Sequence, residues 1–390
     1  MSCYISSNSN RLYVGVESAY GVVRNFAETG RIPAVQLKLR QEVEQPRRRD
    51  KTGNRTFPGL PNGFRKLTAF ELSTLLMEWT LPDQEPAYGP LFQSALGGVP
   101  RFFPGATVAS ASDASTISFT TDHGLVTDQA LTYEGELRFA RSIPDNRSVI
   151  LNAPLGRIPS AGDQTGPTVT YFPATTLPSI SILDAWDPAG AIQRVIAGGA
   201  VNQLRIRLNG DFHQFEFQGI GSEVIDSSTF QTGQGGLQAF PVEPPPQNWN
   251  YSVVPGNLGQ AWLGITPSRI YSILDAEVIL DNALEARNRE FGSTVPLCVT
   301  GGIREVTADF TLYSNTKPEV VSLYEASRLR VPVSVTLQLG HLPGQLCGIH
   351  MKAVTPEFPI FQDAEQKLRW EFRGCRAQGT ADDEIVVAFG

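Results

Sequence analysis

The chain has 390 residues, enough for two or three domains with cores of their own. Apolar residues make up 41% of it, which excludes a disordered chain, and 36 glycines and 28 prolines spread along it suit many short strands joined by turns. Lys and Arg number 32 against 39 Asp and Glu, and the net charge of −7 argues against a protein built to grip nucleic-acid phosphates.

Residues 11–17 (RLYVGVE) predict an opening strand with Leu12, Val14 and Val16 on one side. Val35, Leu37 and Leu39 alternate with Gln36, Lys38 and Arg40, the period of a half-buried strand. Residues 41–62 form a long loop rich in Pro and Gly that carries Arg47, Arg48, Arg49, Lys51 and Arg55. Loops of this length without regular structure are functional or disordered. We read this one as an arm for an acidic neighbour, with a solvated mobile loop as the alternative.

Residues 63–69 (GFRKLTA) and 302–308 (GIREVTA) look like two copies of one strand. A repeat of this kind sets the architecture. Further pairs keep the same order: 35–44 with 277–285, a short helix at 89–96 with one at 321–328, 178–182 with 332–335, and 215–219 (FEFQG) with 370–374 (WEFRG). Each copy reads strand, strand, helix, strand, strand. The competing reading is chance likeness between strands that share a period of two.

Copy one holds an extra stretch, about 99–176, with strand signals of its own at 116–119, 131–133, 136–139, 148–151 and 169–172. Whole domains insert at exposed loops. The expected division is a first domain at 1–105 and 173–245, an inserted small β-domain at 106–172, a Pro-rich linker at 246–261 and a second domain at 262–390. Asn209-Gly210 marks a hairpin whose returning strand starts near His213, which is expected to be exposed.

Chemistry is sparse. His123, His213, His341 and His350 show no metal-ligand spacing, and neither a Gly-x-Ser-x-Gly elbow nor a phosphate-binding Gly-rich loop occurs. No catalytic, cofactor-binding or metal residues are therefore assigned. Asp382, Asp383 and Glu384 form an acidic cluster read as a solvated turn in preference to a cation site. Cys3, Cys298, Cys347 and Cys375 are scattered, a reduced cytosolic pattern in which a Cys298–Cys375 contact stays open. The first residues have neither a basic segment nor an apolar core, so no secretory signal is expected. No apolar run reaches the length of a membrane span.

The opening strand and turn at 11–21, the long loop, the Gly-x-Arg-x-x-Thr-Ala strand, the single helix and the closing hairpin together resemble tail tube proteins of long non-contractile, siphovirus-like phage tails, of the duplicated-domain type. The resemblance covers the two copies, roughly 310 residues, and rests on pattern and order. It implies a mainly β fold: two tandem tail-tube-like β-sandwich or barrel domains, each with one flanking α-helix, plus the small inserted β-domain. It also implies a structural virion protein, not an enzyme, with no cofactor.

On that reading three chains make a pseudo-hexameric ring, and rings stack into a hollow tube assembled in the bacterial host cytoplasm. The implied partners are further copies of the chain, a tape measure protein, and tail terminator and distal tail proteins. Double-stranded DNA passes through the lumen unbound, and no membrane is involved. Strand parity then nominates Glu71, Glu216, Asp309 and Glu371 for an acidic lumen wall that repels phosphates, against the reading that they pair with neighbours such as Arg369 and Arg373. The arm at Arg47, Arg48, Arg49, Lys51 and Arg55 is nominated for ring-to-ring docking on Asp382, Asp383 and Glu384. The alternatives are a distal tail or baseplate hub ring and, further off, a carbohydrate-binding β-protein.

Overall fold

The first stretch of chain folds as β1 (Asn10–Val16), β2 (Arg31–Ile32), β3 (Ala34–Val43), β4 (Lys66–Leu75) and α1 (Gly89–Leu96). After an excursion it resumes with β12 (Ile180–Trp186), β13 (Arg194–Leu208), β14 (Gln214–Gly221) and β15 (Glu223–Asp226). This is a computed structural model, and it describes residues 4–46, 49–60, 63–245, 252–364 and 366–390. β14 shows why these residues make a strand: Phe215 and Phe217 are fully buried, while Gln214, Glu216 and Gln218 face the other way. Asn209 takes a positive φ of 59° at the turn before it, a conformation Asn tolerates well.

The excursion comprises β5 (Arg101–Phe103), β6 (Val108–Asp113), β7 (Thr116–Phe119), β8 (Ala130–Tyr133), β9 (Glu136–Asp145), β10 (Ser148–Leu151) and β11 (Thr168–Tyr171). The last stretch contains β16 (Gly259–Gly264), β17 (Ser268–Arg269), β18 (Ile273–Asp281), β19 (Glu285–Ala286), β20 (Val299–Thr300), β21 (Glu305–Tyr313) and α2 (Pro318–Leu329). It ends with β22 (Val333–Leu339), β23 (Cys347–Thr355), β24 (Ile360–Gln362), β25 (Arg369–Ala377) and β26 (Val386–Phe389).

The pairings of the first stretch recur in the last. β1 pairs with β2 and β12, β12 with β13, β13 with β15 and β14, β14 with β4, and β4 with β3. In the last stretch β16 pairs with β17 and β22, β22 with β23, β23 with β26 and β25, β25 with β21, and β21 with β18. All are antiparallel. β13 runs unbroken, whereas its counterpart is interrupted by Pro356 and Pro359, which have no N–H to give to a ladder, and it continues as β24 on β25.

The two stretches share one 19-stranded sheet and one core. They join where Gln203–Leu208 of β13 lies antiparallel to Asp281–Ala276 of β18. Phe92 of α1 meets Phe215 and Phe217 at 5.3 Å and Phe389, from the end of the chain, at 5.1 Å, all edge-on.

Several expected boundaries move. The strand expected at 169–172 lies outside the inserted sheet: β11 pairs with β5 and β26, so the root of the insert extends the sheet of the last stretch. The inserted sheet has the order β6-β7-β10-β9-β8, with β6 in the place of the missing member. The expected linker at 246–261 also changes. Residues 246–251 lie outside the described residues, but Val254 is buried and its N–H bonds Leu76 O at 3.0 Å, and Gly259 to Ala261 belong to β16. The motif match that suggested the repeat is out of register by one. Phe217 faces Leu72 and Phe372 faces Phe310, so Leu72 corresponds to Phe310 and Ala308 to Phe70, not to Ala69. Accordingly Ala69 is exposed and Ala308 is buried, as a one-residue slip requires.

The insert docks on the last stretch through the positions of β22 and β23 that alternate with core residues. Gln338 accepts from Leu137 N at 2.8 Å and donates to Gly135 O at 2.9 Å. Asn152 Nδ2 bonds Thr336 Oγ1 at 2.7 Å, and His350 Nδ1 lies 2.9 Å from the same hydroxyl while its ring stacks on Phe139.

Burial pushes the buried His350 down to about 4; a backbone bond at Val335 opposes this and Lys352 adds to it. A base depressed on folding contributes stability that is complete above its unfolded pKa of 6.5 and is lost as pH falls towards 4, because the unfolded chain takes the proton first. His213 acts in the same sense, whereas Glu17 and Glu85, raised by burial, act oppositely. The informative quantity is therefore a difference between proteins. His350→Gln should remove about 3 kcal/mol of the acid-induced loss between pH 6.5 and 4. Urea titrations of both proteins at pH 7 and 4 measure it, and equal pH slopes would acquit His350.

Candidate functional site

The charged face of the large sheet is built by the outward positions of β3, β4, β14, β13, β18, β21 and β25. Its opposite face holds Leu72, Phe217, Leu204, Val278, Phe310 and Phe372 in the core. Glu71, Glu216, Asp309 and Glu371 all stand on the charged face, and each has a partner. Lys38 Nζ is 2.5 Å from Glu71. Arg207 lies 3.7 Å from Glu216 and 2.8 Å from Glu277, and Arg205 lies 3.7 Å from Glu277. Arg373 lies 3.7 Å from Asp309 and 3.5 Å from Glu371, and Asp309 also accepts from Gly374 N at 2.7 Å. The hydrogen bond to Glu277 raises the Arg207 pKa further.

Each carboxylate of the expected acidic wall is thus paired with a Lys or Arg. Parity placed the four carboxylates but could not reveal the cations opposite them, because cross-strand pairing depends on register. Pairing with Arg373 holds for Asp309 and Glu371.

The arm and its expected acidic target fare differently. Arg47 and Arg48 lie outside the described residues, while Arg49, Lys51 and Arg55 are exposed on an irregular segment. Asp382 and Glu384 are engaged by Arg304 at 3.2 and 2.8 Å, and Asp383 by Lys352. Burial alone would raise the Asp383 pKa, but Lys352 and the Thr380 and Ala381 N–H groups bring it down to about 2. The cluster is a cross-braced turn, not a bare anionic patch.

The loop that follows β18 corresponds to the arm that follows β3, and within the chain it straps across the ends of the first stretch. Thr294 O accepts from Lys66 N at 2.7 Å and Pro296 O from Ser222 Oγ at 3.1 Å.

The run β3-β4-β14-β13-β18-β21-β25-β24, which carries the charged face, ends in two open edges. Among the described residues β3 pairs with β4 alone and β24 with β25 alone. The β24 edge carries an aromatic step that sequence reading missed. Phe361 stacks on Trp370 at 5.6 Å, Phe358 on Phe361 at 6.2 Å, and Tyr324 of α2 joins them. Phe358, Ile360 and Phe361 are each about half exposed. The available signal was the run PEFPIF, in which prolines confine an apolar segment to an edge.

His213, expected on the surface, is 2% exposed and bonds Leu258 O at 2.9 Å through Nε2, because the segment before β16 covers it. Cys298, Cys347 and Cys375 are unpaired. Among the described residues no group of three His, Cys, Asp or Glu side chains is placed to hold a metal ion, and no helix is long and apolar enough to cross a membrane. No protein-family model matches the chain, and no curated protein matches it significantly.

Proposed function

We propose that this chain is a structural subunit of a long non-contractile phage tail, built as a tandem duplication. Its two tail-tube-like β-sandwich domains each carry one helix, and the small inserted β-domain sits in the first. Three chains form a pseudo-hexameric ring, and stacked rings form the tube that conducts DNA. The observation that carries this is the recurrence of one pairing scheme in two stretches already joined edge to edge through β13 and β18. A heterologous join that is repeated gives a ring when its rotation closes, and rings that stack give a tube.

The charged face is the wall we assign to the lumen. Its cations are held by carboxylates, so it offers phosphates few free partners, and DNA slides past a surface of small net charge. The insert docks on the other layer and so extends away from that wall. The tape measure, terminator and distal tail proteins remain the partners of the tube, and no catalytic step or cofactor belongs to the proposal.

The arm is more consistently placed within the ring than between rings, since its counterpart after β18 straps across an adjoining repeat. Replacing Arg49, Lys51 and Arg55 with Glu should leave the chain folded and reduce ring yield by tenfold or more, read by size exclusion with circular dichroism alongside. An unchanged ring yield would remove the arm from the assembly.

The deciding experiment is negative-stain electron microscopy with mass determination at high concentration. Rings of three 42.5 kDa chains stacking into hollow tubes are expected. Rings that never stack would favour the distal tail hub, and a monomer at all concentrations would end the proposal.

A further inference from the structure

We propose that the join between β13 and β18 is a template for the join between chains: the β24 edge of one copy pairs with the β3 edge of the next, with Phe361 opposite Leu39. The occupant of each open edge is a second copy of this chain. This rests on the ring reading above and adds its register.

The register follows from the pairings alone. In β14 and β25, Phe215 and Phe217 hold the places of Trp370 and Phe372, with the same alternation and the same neighbouring strand. Ile206 lies opposite Phe215, and Phe361 lies opposite Trp370, so Phe361 holds the place of Ile206. On the other edge, Leu37 faces Leu72 and Ala276 faces Phe310, so Leu37 holds the place of Ala276 and Leu39 that of Val278. Within the chain Ile206 lies opposite Val278. Transferred between chains, this puts Phe361 opposite Leu39, Ile360 opposite Arg40 and Gln362 opposite Lys38.

Three features fit this occupant. Among the described residues both strands are unpaired on their outer sides, and an open edge is a template for another strand. Phe358 and Phe361 are half exposed beside Tyr324 and Trp370, an apolar step that burial against Leu37 and Leu39 would cover. Strand parity agrees as well. Leu37 and Leu39 lean towards the core as Val278 does, and Lys38 and Arg40 face outward as Glu277 does. One part of the template is not copied: Lys38 and Gln362 take the places of Glu277 and Arg207, whose ion pair of 2.8 Å holds the in-chain join. The join between chains therefore relies on its backbone ladder and the aromatic step, and is the weaker of the two.

The test is a disulfide placed across the proposed pair. Directly opposed residues in an antiparallel ladder have Cα atoms roughly 4.5–5.5 Å apart, inside the range a disulfide spans. The full chain with Leu39→Cys and Phe361→Cys, in a background with Cys3→Ser and Cys298→Ser, is oxidised mildly and run without reductant. The expected product is a covalent oligomer that closes at three chains. The shifted pair Arg40→Cys with Phe361→Cys should give at least tenfold less. Rings or tubes with no cross-link, or equal yield from the shifted pair, would overturn the register. Covalent trimers that never stack would uphold this join while sinking the tube. A second measurement uses the unaltered chain: hydrogen exchange at low and high concentration, with tenfold or greater slowing expected in residues 34–43 and 358–363. An assembled protein without that protection would also overturn the proposal.

Discussion

Arg138→Ala should destabilise the protein by about 3–5 kcal/mol, the cost of breaking a buried charged network from one side. Arg138 is fully buried, and all three of its nitrogens are engaged. Nε donates to Pro154 O at 3.0 Å, and Nη1 to Leu137 O at 2.9 Å and Gln338 Oε1 at 3.1 Å. Nη2 donates to Glu136 Oε1 at 3.1 Å and Gln260 Oε1 at 3.0 Å, and the guanidinium lies 4.8 Å from the Trp262 ring centre. Burial pushes its pKa down to about 10, so it stays charged at neutral pH. Removing it takes the charged donor from Glu136, Gln338 and Gln260, which keep neutral donors, among them Gln260 Nε2, Leu137 N and Trp262 Nε1, and the loss of the guanidinium beside the Glu136 charge carries most of the penalty. Arg138→Lys should recover only part, because an ammonium is a point donor and cannot reproduce the planar fork. Urea denaturation of the three proteins measures this. A loss under about 1 kcal/mol for Arg138→Ala would mean that the insert is not locked to the last stretch through this side chain.

That lock shows where the sequence is silent. The strands themselves were legible wherever one face is buried: the alternation around Phe215 and Phe217, the Asn209 turn and the helix at 89–96 all reappear. Strands buried on both faces were harder to assign. β11 is buried at all four positions, so nothing in its composition said which sheet it joins. β6, with the sequence VASASD, is a mostly exposed edge strand with a single large apolar residue. Arg138 sits among apolar residues of β9, and its partners Gln338 and Gln260 lie 200 and 122 positions away, beyond the reach of local pattern.

The candidate site was half legible for a related reason. Parity fixes the face on which a carboxylate stands but not the strand beside it. Glu216 is opposite Arg205 only because β14 lies beside β13, and Glu277 is opposite both Arg207 and Asp309 only because β18 lies between β13 and β21. Net charge is a sum over the chain and contains no such information. A wall of paired charges and a wall of bare carboxylates have the same composition. They differ in salt response: paired charges lose little when ions screen them, while bare carboxylates lose the repulsion that would keep DNA moving.

Phe92→Ala should cost about 3–5 kcal/mol, and it should do so in a single unfolding transition. Phe92 is fully buried in α1 and is ringed by Tyr88, Tyr171, Phe215, Phe217 and Phe389 at 5.1–5.9 Å. These rings come from the first stretch, the root of the insert and the last strand of the chain. No one of them can close the space left by the missing ring without leaving another contact, so a cavity term adds to the lost transfer energy. If the stretches were separate domains, calorimetry would show two transitions, and Phe92→Ala would lower only the one belonging to the first. A shared core requires one transition that moves as a whole. That outcome bears on assembly. A repeat that relies on its neighbour for part of its core is held at a fixed angle to it, and a fixed angle between repeats is what lets a chain of joins return to its starting point as a ring.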